Sequence, residues 1–424
     1  MSYETRQKRG AARRPFSLVV LYALIAFVRA DAAPTPPPIA EGTLRIATWN
    51  VSFFRQKEGD LARELAKGDS AQPRVVAEVL QKVRPDVLLL NEFDYDPANP
   101  ALFRKNYLEV SQHGGEPLKY PHFFIAPSNT GVPSGLDFDR DGKVEGGGDA
   151  LGFGVFPGQY GMVVFSRFPI DLNATRTLRS FLWRDMPGAL LPPGWYSDEA
   201  LAKLPLSSKS HWDVAITLPT PTGKAPSTLH FLVSHPTPPG FDGPEDRNGR
   251  RNHDEIRLWA DYLDPSRSRY LVDDAGRRGG LDTRSAFVIA GDLNADPMDG
   301  GSVSGAIAQL LQHPRVHRES AVGALTPRSA GAVEATRRQG GANLTQRGDP
   351  IFDTADFSDG ARSVGNLRVD YVLPSEDLEI CAGGVFWPRA NDAEFALVND
   401  DVEQSSDHRL VWIDIALPGR RCPR

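Results

Sequence analysis

Eight side chains in this sequence are of types that could move protons or hold a metal. Each stands at one end of an apolar run: Asn50, Glu92, His235, Asp292, Asn294, Asp370, Asp407 and His408. Singly, each has a plain explanation. An Asn can close a turn, a Glu after a strand is commonly solvated, and Gly-Asp is an ordinary strand-to-loop step. Together, four carboxylates and two amides suit a hard, oxygen-coordinated cation such as Mg²⁺ or Ca²⁺. The two histidines suit proton transfer near neutral pH. Zinc is disfavoured because no His/Cys cluster has its ligand spacing. In SSDHRLVW an acid and a histidine are adjacent, and neighbours on a strand point to opposite faces. Asp407 and His408 must therefore serve different partners.

The elements that carry these residues follow one plan. TLRIATWNV (residues 43–51) alternates and is rich in β-formers. PRVVAEVLQKV (residues 73–83) has helical spacing and stops just before Pro85. PDVLLLNEFD, YGMVVFSRFPI, STLHFLVSHP, SAFVIAGDLNADP, LRVDYVLPS and HRLVWIDIAL are short apolar strands, each with polar residues at one end. Continuous apolar runs mark strands buried on both faces. Polar groups gathered at their ends predict one shared site at the rim of the sheets. Polar stretches at about 95–150, 170–210, 236–256 and 296–365 read as long loops of the kind that either carry function or are partly disordered. With no fixed-period repeat and no Ser/Gly linker, residues 42–420 read as one catalytic domain.

The N-terminus reads as a targeting segment. Lys8, Arg9, Arg13 and Arg14 precede the apolar run FSLVVLYALIAFV, and small residues follow at Ala30 and Ala32. That is the layout of a secretory signal peptide over residues 1–33, ahead of a Pro-rich linker over 34–41. The run is short for a membrane span, and the other reading is an uncleaved anchor. Arg13-Arg14 also resembles part of a twin-arginine signal. Loss of residues 1–32 removes six Lys/Arg and two Asp/Glu, taking the net charge from −6 to −10. This is not the basic footprint of a tight non-specific nucleic-acid binder, but it accords with an acidic, metal-gathering site. The two cysteines, Cys381 and Cys422, are either a disulfide that ties down the tail or a pair of free thiols. The expectation is an exported monomer without membrane insertion after cleavage.

In order, WNV, LLLNEFD, VSHP, GDLNADP, RVDYVLP and SSDHR resemble the endonuclease/exonuclease/phosphatase superfamily, which includes deoxyribonuclease I. The resemblance spans most of the mature chain, and GDLNADP and SSDHR are its most specific parts. It implies an α/β fold: a four-layer α/β/β/α sandwich of two packed mixed β-sheets flanked by helices. It implies Glu92, Asn50 and Asp407 as metal-side residues, for Mg²⁺ or Mn²⁺. It implies Asp292 and Asn294 as the pair that orients water and phosphate. His408 would contact the scissile phosphate or act as base, with Asp370 orienting it. His235 would protonate the leaving oxygen. A tyrosine stands at that strand end in the exonuclease III-like branch, so the histidine resembles deoxyribonuclease I and the bacterial sphingomyelinases.

Two further stretches have two readings each. DFDRDGKVEGGGD places Asp137, Asp139, Asp141 and Glu145 as in a calcium loop, with Gly148 where a bidentate Glu is usual. It is a structural Ca²⁺ site or a solvated acidic turn. After His235, the cluster Arg247, Arg250, Arg251 and Asn252 either grips substrate phosphate or opens an exposed helix that starts near Asn252 and pairs with nearby acids. Tyr160 either lines the cleft or packs in the core. The function these features support is an exported, metal-dependent phosphodiesterase, with nucleic acid the leading substrate. The alternative is a phosphatase or a sphingomyelinase-like phospholipase acting on a small phosphate ester. A binding protein that kept the fold without activity would be expected to have lost the site acids and histidines.

Overall fold

The computed structural model describes residues 36–360, 362–399 and 405–423, so the expected leader at 1–33 lies outside the described residues. Alternation along the strands explains the layering. In β1 (Thr43–Phe53), Leu44 and Ile46 point one way, while Ala47, Trp49, Val51 and Phe53 point the other. In β2 (Val87–Phe93), Val87 and Leu89 join the first set, and Leu88 and Leu90 the second. The second set packs under the helices Asp60–Lys67 and Ala71–Val83, through Leu61, Leu65, Val76, Val79, Leu80 and Val83.

The first set faces a second sheet. Val288 and Ala290 of β8 (Ala286–Asp292) join it in a core between the sheets, with Phe231 and Val233 of β7 (Ser227–Ser234). Phe287 and Ile289 point outward onto Ile256, Trp259 and Leu263 of the helix Arg247–Tyr262 and its end. Three apolar layers between four structural layers give the expected α/β/β/α sandwich.

The remaining strands are β3 (His122–Phe124), β4 (Met162–Ser166), β5 (Arg176–Thr177), β6 (His211–Leu218), β9 (Asp370–Pro374), β10 (Ile380–Val385) and β11 (Val411–Ala416). One sheet runs β10-β11-β1-β2-β4-β3 and the other β5-β6-β7-β8-β9. β1/β2 and β7/β8 are parallel pairs, and their neighbours β11, β4, β6 and β9 run antiparallel to them. The ends of β1, β2, β7 and β8 therefore share a rim with the starts of β6, β9 and β11. Cys381 and Cys422 form a disulfide that ties β10 to the tail. Among the described residues, no helix is long and apolar enough to cross a membrane.

Four strands escape the apolar-run pattern: the short β3 and β5, and the longer β6 and β10. β10 reads ICAGGV, and its glycines dilute the signal. β6 carries His211 and Asp213 inside an otherwise apolar alternation. His211 bonds Ser207 Oγ and the Glu255 carbonyl at 2.6 and 2.9 Å, and Asp213 holds His230 Nδ1 at 2.7 Å. Buried polar residues with partners look the same in sequence as solvated ones.

Gly291, next to the site, shows how closely β7 and β8 approach there. It has φ +149°, and a Cβ on it would lie 2.1 Å from the Ser234 carbonyl oxygen. Neither backbone can yield without opening the rim. Gly291→Ala should destabilise the fold by roughly 1–3 kcal/mol and depress catalysis as well, checked by thermal melting and turnover.

Candidate active site

Five strand ends, its own included, meet at one carboxylate. Asp292 Oδ2, at the end of β8, accepts the Asn50 Nδ2 hydrogen bond at 3.1 Å from β1. His235 Nε2, just after β7, lies 3.3 Å from the same oxygen, and His408 Nε2, before β11, lies 3.6 Å from it. The other oxygen, Oδ1, accepts from the Asn294 backbone N–H at 3.0 Å. The Asp292 N–H donates to Asn91 Oδ1 of β2 at 3.1 Å. Despite burial, these donors and imidazoles hold the Asp292 carboxyl well below the usual carboxylate range.

His408 is oriented from its other nitrogen. Nδ1 meets Asp370 Oδ2 at 2.9 Å, and Thr354 Oγ1 donates to that same oxygen at 2.9 Å. The Phe357 ring stands edge-on to the imidazole at 5.3 Å. Although burial opposes a charge, Asp370 and Asp292 together raise His408 well above an ordinary histidine. Burial pushes Asp370 up to about 6. His235 is the reverse case. Burial first, then the nearby Lys209, lowers it to about 4, and its Nδ1 has no partner among the described residues. One histidine is an imidazolium at neutral pH and the other is neutral.

The SSDHR loop is fixed before β11 begins, where strand alternation does not apply. Ser406 Oγ donates to the Asn50 carbonyl at 2.7 Å and accepts from the His408 N–H at 3.0 Å. Trp49 Nε1 donates to the His408 carbonyl at 3.0 Å, so the WN and SSDHR motifs brace each other. Asp407 turns to the opposite side, accepting from Ser52 Oγ at 3.2 Å. From there it acts on Glu92. Burial raises the Glu92 carboxyl to about 7, the Asn50 amide works against that rise, and Asp407 and Asp292 add to it by repulsion.

Glu92 and Asn294 both have φ values in the left-handed region, +57° and +51°, as do neighbouring Ser52 and Tyr160. Such conformations cost energy and gather at functional sites. Tyr160 is half-buried beside Glu92, against Phe54 at 4.8 Å and Phe153 at 6.4 Å between ring centres, and so borders the cleft.

The donor set fits a divalent cation on the Glu92 side. Glu92, Asp407 and the Asn50 amide are oxygen ligands, and Glu92 is repelled by acids with no positive side chain bonded to it among the described residues. Asp292, Asp370 and His408 also bring ligand-type atoms within 4.8 Å of one another. That trio is linked by imidazole–carboxylate contacts of 2.9 and 3.6 Å and reads as a proton-holding chain.

The second acidic group comprises Asp137, Asp139, Asp141 and Asp149. Asp149 stands where Glu145 was expected; Glu145 contributes its backbone N–H to Asp149 Oδ2 at 2.9 Å. A Cβ on Gly148 would sit 2.0 Å from Asp139 Oδ2, so any larger residue there would push that carboxylate aside.

The arginine cluster is placed elsewhere. Its helix begins at Arg247, five residues ahead of the expected start. The Arg251 guanidinium donates to the carbonyls of Leu206, Leu151 and Pro205, Arg250 Nε to the Glu245 carbonyl, and Arg247 pairs with Glu245. These bonds brace the loop. Asn252 Nδ2 donates to the carbonyls of Thr237 and Leu293 at 2.8 and 3.0 Å, which locks the segment after His235 to the GDLN turn. It is a positioning residue.

Sequence reasoning missed Asn91, Thr354 and Lys209. Lys209 had a readable signal. His211 pairs with Ser234, so a lysine two residues before β6 must lie beside His235 once β6 is recognised.

The sequence profile described as the Endonuclease/Exonuclease/phosphatase family matches residues 47–408. The chain belongs to that family. A search of curated proteins found no match. Among solved structures, an endonuclease/exonuclease/phosphatase from Beutenbergia cavernae is 20% identical, covering 89% of this chain and 72% of its own, with a TM-score of 0.45. The Staphylococcus aureus beta toxin is 12% identical over 87% and 99%, TM-score 0.41. An AP endonuclease from Archaeoglobus fulgidus is 14% identical over 87% and 98%, TM-score 0.39. Members of the family are hydrolases of phosphate esters.

The Glu92 shift carries a sign. Below about pH 7 Glu92 holds a proton that a cation must displace; above it the carboxylate is free to ligate. Since its folded pKa exceeds the ordinary value of 4.5, the metal-free chain loses this group's stabilisation as pH rises through about 7. The rise in melting temperature caused by Mg²⁺ over EDTA should therefore be small in acid and grow as pH passes through about 7. Glu92→Gln should flatten that dependence.

Proposed function

We propose that the protein is an exported, divalent-metal-dependent phosphodiesterase whose substrate is nucleic acid. The observation that carries this reading is the pair of imidazoles on one Asp292 oxygen, one charged and one neutral. A diester's alkoxide leaving group requires a proton, and its phosphate requires a donor that stays charged. Glu92, Asn50 and Asp407 would hold Mg²⁺ or Mn²⁺, which supplies charge neutralisation and acidifies bound water.

The chain's own residues then divide the work. Asp292, kept ionised, accepts from the attacking water and aligns it. His408, charged through Asp370, donates to a non-bridging phosphate oxygen. Asn294 Nδ2 donates one hydrogen to the Pro236 carbonyl at 3.1 Å and has its second for phosphate. His235 is neutral in the free enzyme, so it must gain a proton before it can protonate the leaving oxygen. The negative charge of bound phosphate is the change that favours this.

A second reading, hydrolysis of a phospholipid such as sphingomyelin or of a small phosphate ester, draws on Phe241. It is 94% exposed and six residues beyond His235, an apolar group that the sequence did not flag as surface-seeking. The disulfide supports export, since such bonds persist in oxidising compartments. The chain is proposed to act as a monomer.

Plasmid DNA, bis-p-nitrophenyl phosphate, p-nitrophenyl phosphate and sphingomyelin vesicles, each with Mg²⁺, Mn²⁺ or EDTA, separate these readings. The expected result is diester cleavage abolished by EDTA, with His235→Ala lowering kcat by about 10²–10⁴ and leaving melting unchanged. Cleavage of the monoester alone would sink the nuclease reading. The 137–149 loop is proposed to take Ca²⁺ as a structural ion. Ca²⁺ should raise the melting temperature, and Asp139→Asn should remove that rise; an unchanged response in the variant would count against it.

A further inference from the structure

The residues proposed for the cation come from three separate stretches of chain. Asn50 and Glu92 lie on paired strands, with Asn50 opposite Asn91 in the β1/β2 register. Asp407 has no such frame, because it lies in the loop ahead of β11. Its carbonyl accepts from the Asp356 N–H at 2.7 Å, which ties it only to another loop. Its distance from Asn50 and Glu92 must be set by side chains that cross between stretches. Ser406 is one such link, from inside the loop. Gln72 supplies a second, from outside it.

Gln72 stands in the first turn of the helix Ala71–Val83. Its Nε2 donates to the Ser405 carbonyl of the SSDHR loop at 2.8 Å, and to the Val51 and Ser52 carbonyls at the end of β1, each at 3.2 Å. An amide nitrogen carries two hydrogens, so one serves the loop and the other is shared along β1. The neighbours also decide which way the amide faces. Oε1 accepts from Arg55 Nη2 at 2.9 Å, and Arg55 is itself held by Glu64 at 2.6 Å and the Phe54 carbonyl at 2.8 Å. Turned over, the amide would set its oxygen against three carbonyls and its NH₂ against a guanidinium.

The β1 end that Gln72 grips is strained. Ser52 has φ +50°, its N–H donates to Asn50 Oδ1 at 3.1 Å, and its Oγ donates to Asp407 Oδ1 at 3.2 Å. This left-handed turn directs both side chains, and such turns persist only where the surroundings fix them. We propose that Gln72 is a positioning residue for the cation: one amide nitrogen fastens the SSDHR loop to the end of β1 and so fixes Asp407 against Asn50 and Glu92. The inference rests on the reading that these three residues hold a divalent ion.

The test measures Mg²⁺ affinity of the full mature chain by calorimetry at about pH 8, where the Glu92 carboxylate is free, with melting in EDTA alongside. Gln72→Met keeps the length of the side chain and removes the donor. Gln72→Glu keeps the acceptor for Arg55, removes the donor, and adds a negative charge that by attraction alone would tighten Mg²⁺ binding. Loss of an outer partner of a metal ligand commonly weakens binding about 10- to 100-fold, and both variants should lose about 10-fold. Leu65→Ala, a core truncation in the helix Asp60–Lys67, controls for instability alone. It should lower the melting temperature and leave Mg²⁺ affinity within about twofold of wild type. Gln72→Met within about twofold of wild type, tighter binding by Gln72→Glu, or an equal loss in Leu65→Ala overturns the proposal. If Gln72→Met does not fold, Gln72→Glu is judged by the same criterion. Wild type that binds Mg²⁺ with Gln72→Met unchanged leaves the cation reading standing and removes Gln72 from it. Wild type that binds no Mg²⁺ overturns the cation reading and the role of Gln72 together.

Discussion

Asp292 Oδ2 is the point on which the site is built. Its own strand belongs to the five-stranded sheet, as does the strand that delivers His235, while Asn50 and His408 come from the six-stranded one. One buried oxygen therefore joins the rims of two sheets that otherwise touch through an apolar core. Its requirements explain nearby details: the close approach at Gly291, the inward Asn91, and the bracing of SSDHR by Trp49 and Ser406. Without the Asn50 and imidazole partners, a carboxylate this deep would be driven to take up a proton.

The charges around that oxygen are deliberately unbalanced. Asp370 and Asp292 enclose His408 and keep it charged, whereas His235 shares its surroundings with Lys209 and is kept neutral. Glu92 is crowded by acids with Asn50 as its relief. Asp370 Oδ1 and His235 Nδ1 have no partners among the described residues. Left-handed backbone at Glu92, Asn294, Ser52 and Tyr160 adds to the cost. Such expense concentrates where a ligand is to complete the electrostatics, and here it surrounds the space between Glu92 and Lys209.

Much of this was legible in the sequence. Parallel strands buried on both faces have to end in polar residues at one rim, so the run-then-acid pattern located Asn50, Glu92, His235, Asp292, Asp370 and His408 together. The adjacency of Asp407 and His408 was read as two partners from strand alternation; the partners are two, but the pair lies in the loop ahead of β11, where bonds to Ser52, Ser406 and Trp49 set the directions. What escaped had a physical reason. Arg251 and Asn252 carry the right chemistry for phosphate, but only the fold shows that backbone carbonyls already engage them. The helix could start at Arg247 because Asp246 adopts a left-handed turn there, with φ 53°, which no spacing rule signals. Asp149 replaces Glu145 because the glycines let the loop fold back on itself. Lys209 was hidden because β6 carries buried polar residues that made it read as loop.

The central claim is that His235 and His408 act as one unit through Asp292 on a single phosphate. A kinetic double-mutant cycle tests it most directly: turnover of bis-p-nitrophenyl phosphate by wild type, His235→Ala, His408→Ala and the double variant. If both act on the same transition state through a shared carboxylate, the double variant should be little slower than the slower single variant. Losses that multiply in full, as for two independent sites, would contradict the account.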